Sequence, residues 1–352
     1  MKKISLTIND IPVTVPAGST VLEAARQAGV DVPTLCHHRE LTADGSCRMC
    51  IVEVEGNQNL PASCVLPAAD GMKVKTESEA VVAARKNILR LMLSNHPLDC
   101  LTCETAGGCR LQDYCYRYDV AETTFPGEVA DRPKVQCNPF ILRDYSKCIL
   151  CGLCVRACRE VQCNDAIDFI NRGFESQVAA PFGEGLEEGG CTFCGLCLDL
   201  CPSGALQSLV GHGEGRVWER QTVTTTCTYC GVGCRLKLQV NDGQVVGVSP
   251  DFDGPVNRGH MCVKGRFGWD FIHSPNRLRA PLVRKDGRLQ EATWEEALEA
   301  VARGLEKARE KHGANALGVL SSARCTNEEN YLLQKLTRAV LGTNNIDHCA
   351  RL

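Results

Sequence analysis

No run of apolar residues in this sequence approaches the roughly 18 that a membrane-spanning helix needs, which excludes a helical membrane span. The first ten residues, Met1-Lys-Lys-Ile-Ser-Leu-Thr-Ile-Asn-Asp, lack both the apolar core of a secretory signal and a twin-arginine pair. Charge of one sign is lacking too. Lys and Arg number 39 against 42 Asp and Glu, and a net charge of -3 indicates no nucleic-acid partner. Aromatic residues are few, at 5%. Cysteine dominates instead, with 24 copies in 352 residues. In an exported chain they would mean disulfides. In C-x2-C runs without an export signal they point to metal, in a reducing, cytoplasmic compartment. The length leaves room for two or more domains.

The densest cysteine pattern runs from Cys148 to Pro202. Cys148, Cys151, Cys154 and Cys158 follow the spacing C-x2-C-x2-C-x3-C, and Cys191, Cys194, Cys197 and Cys201 repeat it. In two-cluster ferredoxins the fourth cysteine of such a run serves the other cluster. The first [4Fe–4S] cube would take Cys148, Cys151, Cys154 and Cys201, and the second Cys191, Cys194, Cys197 and Cys158. A pair of zinc knuckles is the rival reading, but zinc sites use ligands in two pairs, whereas each run here supplies four by itself. Arg159 stands where the first run would often carry proline.

Before this core, Ile4, Leu6 and Ile8, then Ile11, Val13 and Val15, alternate around Asn9-Asp10, predicting a hairpin. Thr20-Val-Leu-Glu23 reads as a capping box opening a helix that Gly29 closes. Hairpin plus helix suits a β-grasp domain. Cys36, Cys47, Cys50 and Cys64 then offer four thiolates, three of them on one loop, which suits a [2Fe–2S] centre with a longer first gap than the plant-type spacing. Taken alone the set would also suit zinc. The apolar face of residues 79–95 predicts a helix. His96, Cys100, Cys103 and Cys109 follow as one imidazole and three thiolates for a [4Fe–4S] cluster, with Cys115 the rival fourth ligand. Residues 116–145 read as a connecting loop. Residues 164–190 read as short strands and a loop, and Gly211-His-Gly-Glu-Gly215 as a linker.

Cys227, Cys230, Cys234 and Cys262 form a fourth cubane set, with a zinc ribbon as the rival. Between them Leu236–Val240, Asn241-Asp-Gly243 and Val245–Val248 predict a hairpin. The last stretch reads as α/β: a helix over Trp294–His312, a strand over Ala316–Leu320, and a capping box at Thr326-Asn-Glu-Glu329. A further helix runs through Leu341, and a strand begins at Ile346. One or two strands cannot bury both faces of a parallel sheet, so this domain is expected to be incomplete at Leu352.

Residues 1–210 resemble the electron-transfer module shared by the large iron–sulfur subunit of NADH dehydrogenase complexes and by [FeFe]-hydrogenases, on the histidine-ligated and [2Fe–2S] motifs. Residues 220–352 resemble the start of the molybdenum/tungsten bis-pyranopterin oxidoreductases. Cys262-Val-Lys264-Gly265, Ser321-Ser-Ala-Arg-Cys-Thr-Asn-Glu-Glu-Asn-Tyr331 and Asn344-Asn-Ile-Asp-His-Cys-Ala-Arg351 resemble the formate dehydrogenase catalytic subunit. The resemblance implies formate-to-CO2 chemistry at a Mo- or W-bis-pyranopterin guanine dinucleotide, with Lys264 relaying electrons between cubane and pterin. It places the catalytic selenocysteine or cysteine immediately after Leu352, so no catalytic residue is expected within the chain. An in-frame UGA read as stop, a true truncation and a partial chain are the open explanations, and the next codon decides among them. Flavin/NAD(P)-binding subunits, small iron–sulfur subunits, or a hydrogenase or ferredoxin are the implied partners. The rival reading is an iron–sulfur subunit of an NADH dehydrogenase- or hydrogenase-type complex without its own active site. Cys115, Cys137, Cys163, Cys325 and Cys349 receive no ligand role, although Cys349 falls close to the expected catalytic position.

The expected fold class is therefore an α+β multidomain iron–sulfur protein carrying one [2Fe–2S] and four [4Fe–4S] clusters. Its expected divisions are a [2Fe–2S] domain over 1–78, a His/Cys cluster domain over 79–136 and a two-cubane ferredoxin domain over 137–212. The [4Fe–4S] domain of the pterin oxidoreductase follows over 220–276, and the start of its α/β domain over 277–352.

Overall fold

The computed structural model describes residues 2–130, 132–136, 138–181 and 185–348. Cys137, Cys349 and the rest of the segment after His348 lie outside the described residues. The chain forms two compact units, one of residues 1–222 with 239–247, the other of 223–238 with 248–352.

In the first unit, strands β1 (Lys3–Ile8) and β2 (Ile11–Pro16) pair with Leu6 opposite Val13 and Ile8 opposite Ile11. This register leaves Asn9 and Asp10 as a two-residue turn, both at positive φ (47° and 66°), a conformation their short polar side chains tolerate. Helix α1 (Val21–Gln27) starts at the predicted Thr20–Glu23 capping box and buries Val21, Leu22, Ala24 and Ala25. Strand β3 (Glu53–Val54) pairs with β4 (Lys73–Lys75), which runs parallel to β1. The sheet order β2-β1-β4-β3 with one helix is the β-grasp arrangement expected.

Helix α2 (Glu79–Leu93) buries Val81, Arg85, Leu89 and Leu93, a stripe at four-residue spacing that places a guanidinium in the middle of an apolar face. A short helix that the sequence pattern did not predict, α3 (Arg110–Arg117), follows. The loop expected over 116–145 is not wholly a loop. Strand β5 (Lys134–Val135) and strand β6 (Ile141–Asp144) lie antiparallel, and β6 also pairs with a later strand, Leu206–Ser208. Asn138 Oδ1 starts β6 by accepting from the Phe140 and Ile141 amides. Strands this short, their ladder closed by a partner more than sixty residues on, carry almost no periodicity in the sequence.

The two ferredoxin runs end in helices α4 (Leu153–Arg156) and α5 (Leu196–Leu200). The expected short strands between them are β7 (Asp168–Ile170) and β8 (Gln177–Ala179). The predicted linker is docked. A Cβ on Gly211 would run into the Val246 carbonyl, Gly213 N–H donates to Glu104, and Arg216 donates to the Cys103 and Leu101 carbonyls. Glycine supplied close approach here, not freedom.

In the second unit, the helix Trp294–His312 opens on a Thr293–Glu296 capping box, and Asn327–Lys335 opens on the predicted Thr326–Glu329 box. The strand expected at 316–320 lies at Val319–Ser321, because Ala314–Ala316 first makes a 3-10 turn. It pairs in parallel with Ile346–His348, Val319 opposite Ile346, as the strand-helix-strand order requires. The apolar face of Trp294–His312 is exposed, with Leu298 at 61% and Val301 at 57%.

Candidate metal centres

Among the described residues no three His, Cys, Asp or Glu side chains are drawn together tightly enough for a lone metal ion. The cysteines instead gather as free thiols in sets.

Cys36, Cys47, Cys50 and Cys64 are all buried at the edge of the β-grasp core. Their sulfurs pair, Cys36 with Cys47 and Cys50 with Cys64, and each pair shares one proton-poor partner. Hydrogen bonding from Cys47 pulls Cys36 down to about 6, and hydrogen bonding from Cys64 pulls Cys50 down to about 6. Cys47 and Cys64 move up, by the same contacts and by burial. The charges of Cys50, Cys36 and Cys47 all act on Cys64, so the four sulfurs form one group. The loop carrying them turns at Gly45 (φ +69°), where a Cβ would meet Val65 at 3.2 Å. Two arginines hold it. Arg85, fully buried, donates to the carbonyls of Met49 (2.9 Å) and Ile51 (2.8 Å), on either side of Cys50. Arg156 donates through Nη2 to the carbonyls of Cys36 (2.5 Å) and Cys151 (3.3 Å). Glu160 accepts from the Thr42 amide at 2.7 Å. Neither arginine is visible to a search for ligand spacing.

A cavity of about 320 Å³ is lined by His96, Cys100 and Cys109, with Cys115, Leu98 and Leu111. Burial, then the Lys147 ammonium, lowers the His96 pKa, favouring the neutral imidazole a metal binds. Its Nδ1 is shut from solvent with no hydrogen-bond partner among the described residues, the signature of a donor awaiting a ligand. Cys103 does not line this cavity. Its sulfur lies 3.3 Å from Thr105 Oγ1 and against Gly204, where a Cβ would come within 2.8 Å. Cys115 lines it, and burial pushes its thiol up to about 11. Replacing Cys115 by serine is expected to leave the iron content unchanged, whereas His96→Ala lowers it by one [4Fe–4S] equivalent. The reverse outcome in an anaerobic iron assay would make Cys115 the ligand.

In each ferredoxin run the backbone turns twice into the left-handed region, at Leu150 (φ 55°) and Gly152 (70°), and at Phe193 (50°) and Gly195 (74°). Such turns aim amide groups inward at an anion. The Phe193 amide donates to Cys191 Sγ at 3.4 Å, and the Leu150, Leu153 and Leu196 amides lower the thiols of Cys148, Cys151 and Cys194 in part. Burial is the larger influence and raises all of them, Cys151 to about 12. One cavity is lined by Cys148, Cys151, Cys154 and Cys201, another by Cys158, Cys191, Cys194 and Cys197. Arg159 bonds Asp165 (2.8 Å) and Asp168 (2.6 Å), tying the turn after Cys158 to the start of β7.

In the second unit, Cys227, Cys230 and Cys262 all act on Cys234, whose thiol is raised first by burial. The Cys227 amide donates to the Cys234 carbonyl at 2.8 Å, closing the loop. Gly265 leaves its Cβ position 3.4 Å from Cys227 Sγ. Cys230 and Cys262 are exposed, and so is Lys264, on the short helix Val263–Phe267 that Cys262 begins. Cys163 is exposed and Cys325 half-buried.

In donor kind the sets fit iron–sulfur clusters: soft thiolates in fours, one with a neutral imidazole. Comparison with known families and proteins agrees. Residues 1–79 match the 2Fe-2S iron-sulfur cluster binding domain, and 85–124 the NADH-ubiquinone oxidoreductase-G iron-sulfur binding region. Residues 147–205 match the 4Fe-4S dicluster domain, 220–274 the molybdopterin oxidoreductase Fe4S4 domain, and 277–352 the molybdopterin oxidoreductase family. The NADPH-Fe(3+) oxidoreductase subunit alpha of Geobacter sulfurreducens is 40% identical over 99% of this chain and 40% of its own length. An NADH-quinone oxidoreductase G-type subunit of Rhizobium meliloti is 39% identical, over 99% and 40%. A putative formate dehydrogenase of Staphylococcus aureus is 32% identical, over 98% and 39%. The chain thus spans about two fifths of the length of these relatives. A chain in the crystal structure of an NAD+-reducing [NiFe]-hydrogenase in the H2-reduced state is 32% identical, with a TM-score of 0.56, covering 61% of this chain and 91% of that one. The chain thus carries four iron–sulfur domain matches followed by a molybdopterin oxidoreductase match, and over 99% of its length it is similar to an NADH-quinone oxidoreductase G-type subunit.

Proposed function

We propose that the chain is the electron-relay portion of a cytoplasmic, multi-subunit oxidoreductase, passing electrons between a flavin/NAD(P) or ferredoxin partner and a pterin-type site. The reading rests above all on the two interleaved cavities, each bounded by three cysteines of one run and the last cysteine of the other. Cys36, Cys47, Cys50 and Cys64 would hold a [2Fe–2S] centre. His96, Cys100, Cys103 and Cys109 would hold one [4Fe–4S] cluster. Cys148, Cys151, Cys154 and Cys201 would hold a second, and Cys158, Cys191, Cys194 and Cys197 a third. Cys227, Cys230, Cys234 and Cys262 would hold the fourth. Bound clusters supply one-electron storage at potentials set by ligands, hydrogen bonds and burial. The chain's own part is to fix the donors, aim amides at the sulfurs and shut out water. Lys264, exposed on the short helix that Cys262 begins, would relay electrons between that cubane and the pterin-type site.

An anaerobically matured chain should carry about 18 iron atoms, counting two for the [2Fe–2S] rhomb and four for each cube. Zinc in their place, or a content near half that value, would overturn the relay. Formate is the second reading for the pterin-side substrate, favoured by the 32% identity to a putative formate dehydrogenase and by Cys262-Val-Lys264-Gly265. In the assembled complex, formate should reduce the clusters as NAD(P)H does. Reduction by NAD(P)H alone would remove formate and leave the relay standing.

A further inference from the structure

Arg143 lies on β6 between the two ferredoxin runs, only 7% exposed. Its side chain lines the cavity of Cys148, Cys151, Cys154 and Cys201 and also the cavity of Cys158, Cys191, Cys194 and Cys197. Nη1 donates to the Val178 carbonyl on β8 at 2.8 Å and reaches Tyr145 Oη at 3.4 Å, and the guanidinium lies 5.7 Å from the centre of the Tyr145 ring. Its backbone is held in the sheet opposite Val135 on one side and Leu206 on the other. The charges that act on it belong to Tyr145, Cys197 and Cys154, one cysteine from each cavity. In return it draws down Cys148 and Cys154 in one set and Cys191 and Cys197 in the other, against the larger upward push of burial.

A guanidinium stays protonated under all working conditions. Burying one costs free energy unless something nearby is negative. Here the groups that would be negative are the ligand sulfurs of both sets once they hold clusters, and Arg143 lines both of their cavities. We infer that Arg143 is a shared charge between the two ferredoxin cubanes, raising the reduction potential of both. The physics is Coulombic: reduction adds an electron to each cube, and a fixed cation facing both stabilises the added charge in each. The inference rests on the ligand sets proposed above, and it assigns Arg143 a positioning and electrostatic role rather than a ligand role.

The test uses the matured full chain and two variants, Arg143→Gln and Arg143→Lys. Glutamine keeps a donor for the Val178 carbonyl without charge, and lysine keeps the charge. In anaerobic redox titrations followed by electron paramagnetic resonance, the two dicluster midpoints should both fall in Arg143→Gln. The expected size is at least tenfold in each one-electron equilibrium, about 59 mV. They should fall by less than half that in Arg143→Lys, with the [2Fe–2S] signal fixed in both. A shift at one cube only, no shift, or equal shifts or equal cluster loss in the two variants would make Arg143 a packing residue and overturn the inference. If the ligand reading itself were wrong, the parent chain would lack the paired dicluster signals, a distinct result.

Discussion

Replacing Cys201 by alanine is expected to abolish the cubane of Cys148, Cys151 and Cys154 while leaving the one of Cys191, Cys194 and Cys197 in place. Cys158→Ala is expected to do the reverse. The sense of this result is set by which wall each cysteine joins: Cys201 lines the cavity of the first run, 53 residues after Cys148 by number, and Cys158 that of the second. If each run instead closed a site on its own, Cys201→Ala would strike the cluster of its neighbours Cys191, Cys194 and Cys197. A cube left with three protein thiolates loses an iron readily, so a three-iron signal or a loss of about four iron atoms marks the affected site. Magnetic circular dichroism together with iron analysis separates the two outcomes, since the surviving cube keeps its own spectrum.

Arg85→Met should cost the chain about 3–5 kcal/mol, because it removes one member of a buried charged network and strands the others. Arg85 is wholly buried in α2 and bonds four acceptors: the Met49 and Ile51 carbonyls, Glu77 at 2.8 Å and Tyr118 Oη at 2.7 Å. Methionine fills much of the space and leaves those carbonyls without donors. Since they flank Cys50, the [2Fe–2S] site should suffer before the remote cubanes do. The expected result is a lowered denaturation midpoint and a [2Fe–2S] signal reduced severalfold, with the dicluster signals nearly unchanged. A stability loss spread evenly over all clusters would place the effect in general packing instead.

That the chain carries iron–sulfur domains was legible because such chemistry demands cysteine at short fixed intervals, a local pattern. The Thr20 and Thr326 capping boxes and the Asn9-Asp10 turn were legible because they are local. What escaped the sequence is non-local. Arg85 interrupts the apolar stripe of α2, and a periodicity reading passes over a charged residue as solvent-facing. Arg143 stands in a four-residue strand whose partner, Leu206–Ser208, lies far along the chain. Arg156 and Glu160 meet the [2Fe–2S] loop from more than a hundred residues away. The glycines at 211–215 were read as freedom because glycine serves both free and crowded backbone, and only the neighbouring Val246 carbonyl tells them apart. Cys115 remained a rival to His96 for a related reason: α3, which carries it to the cavity wall, has no strong signature in the sequence.

The cavity of Cys148, Cys151, Cys154 and Cys201 takes its walls from both ends of a long stretch of chain. A ribosome makes those ends at different times, and folding of the emerging chain proceeds from the N-terminal side. Until Pro202 has left the exit tunnel this cavity has only three of its walls, and the neighbouring one, begun by Cys158, waits on the same segment. The [2Fe–2S] loop has all four of its cysteines once Cys64 has emerged, although Arg85 and Arg156, which hold it, follow later. Cluster delivery would then follow a timetable written into the chain, with the rhomb first and the two interleaved cubes together.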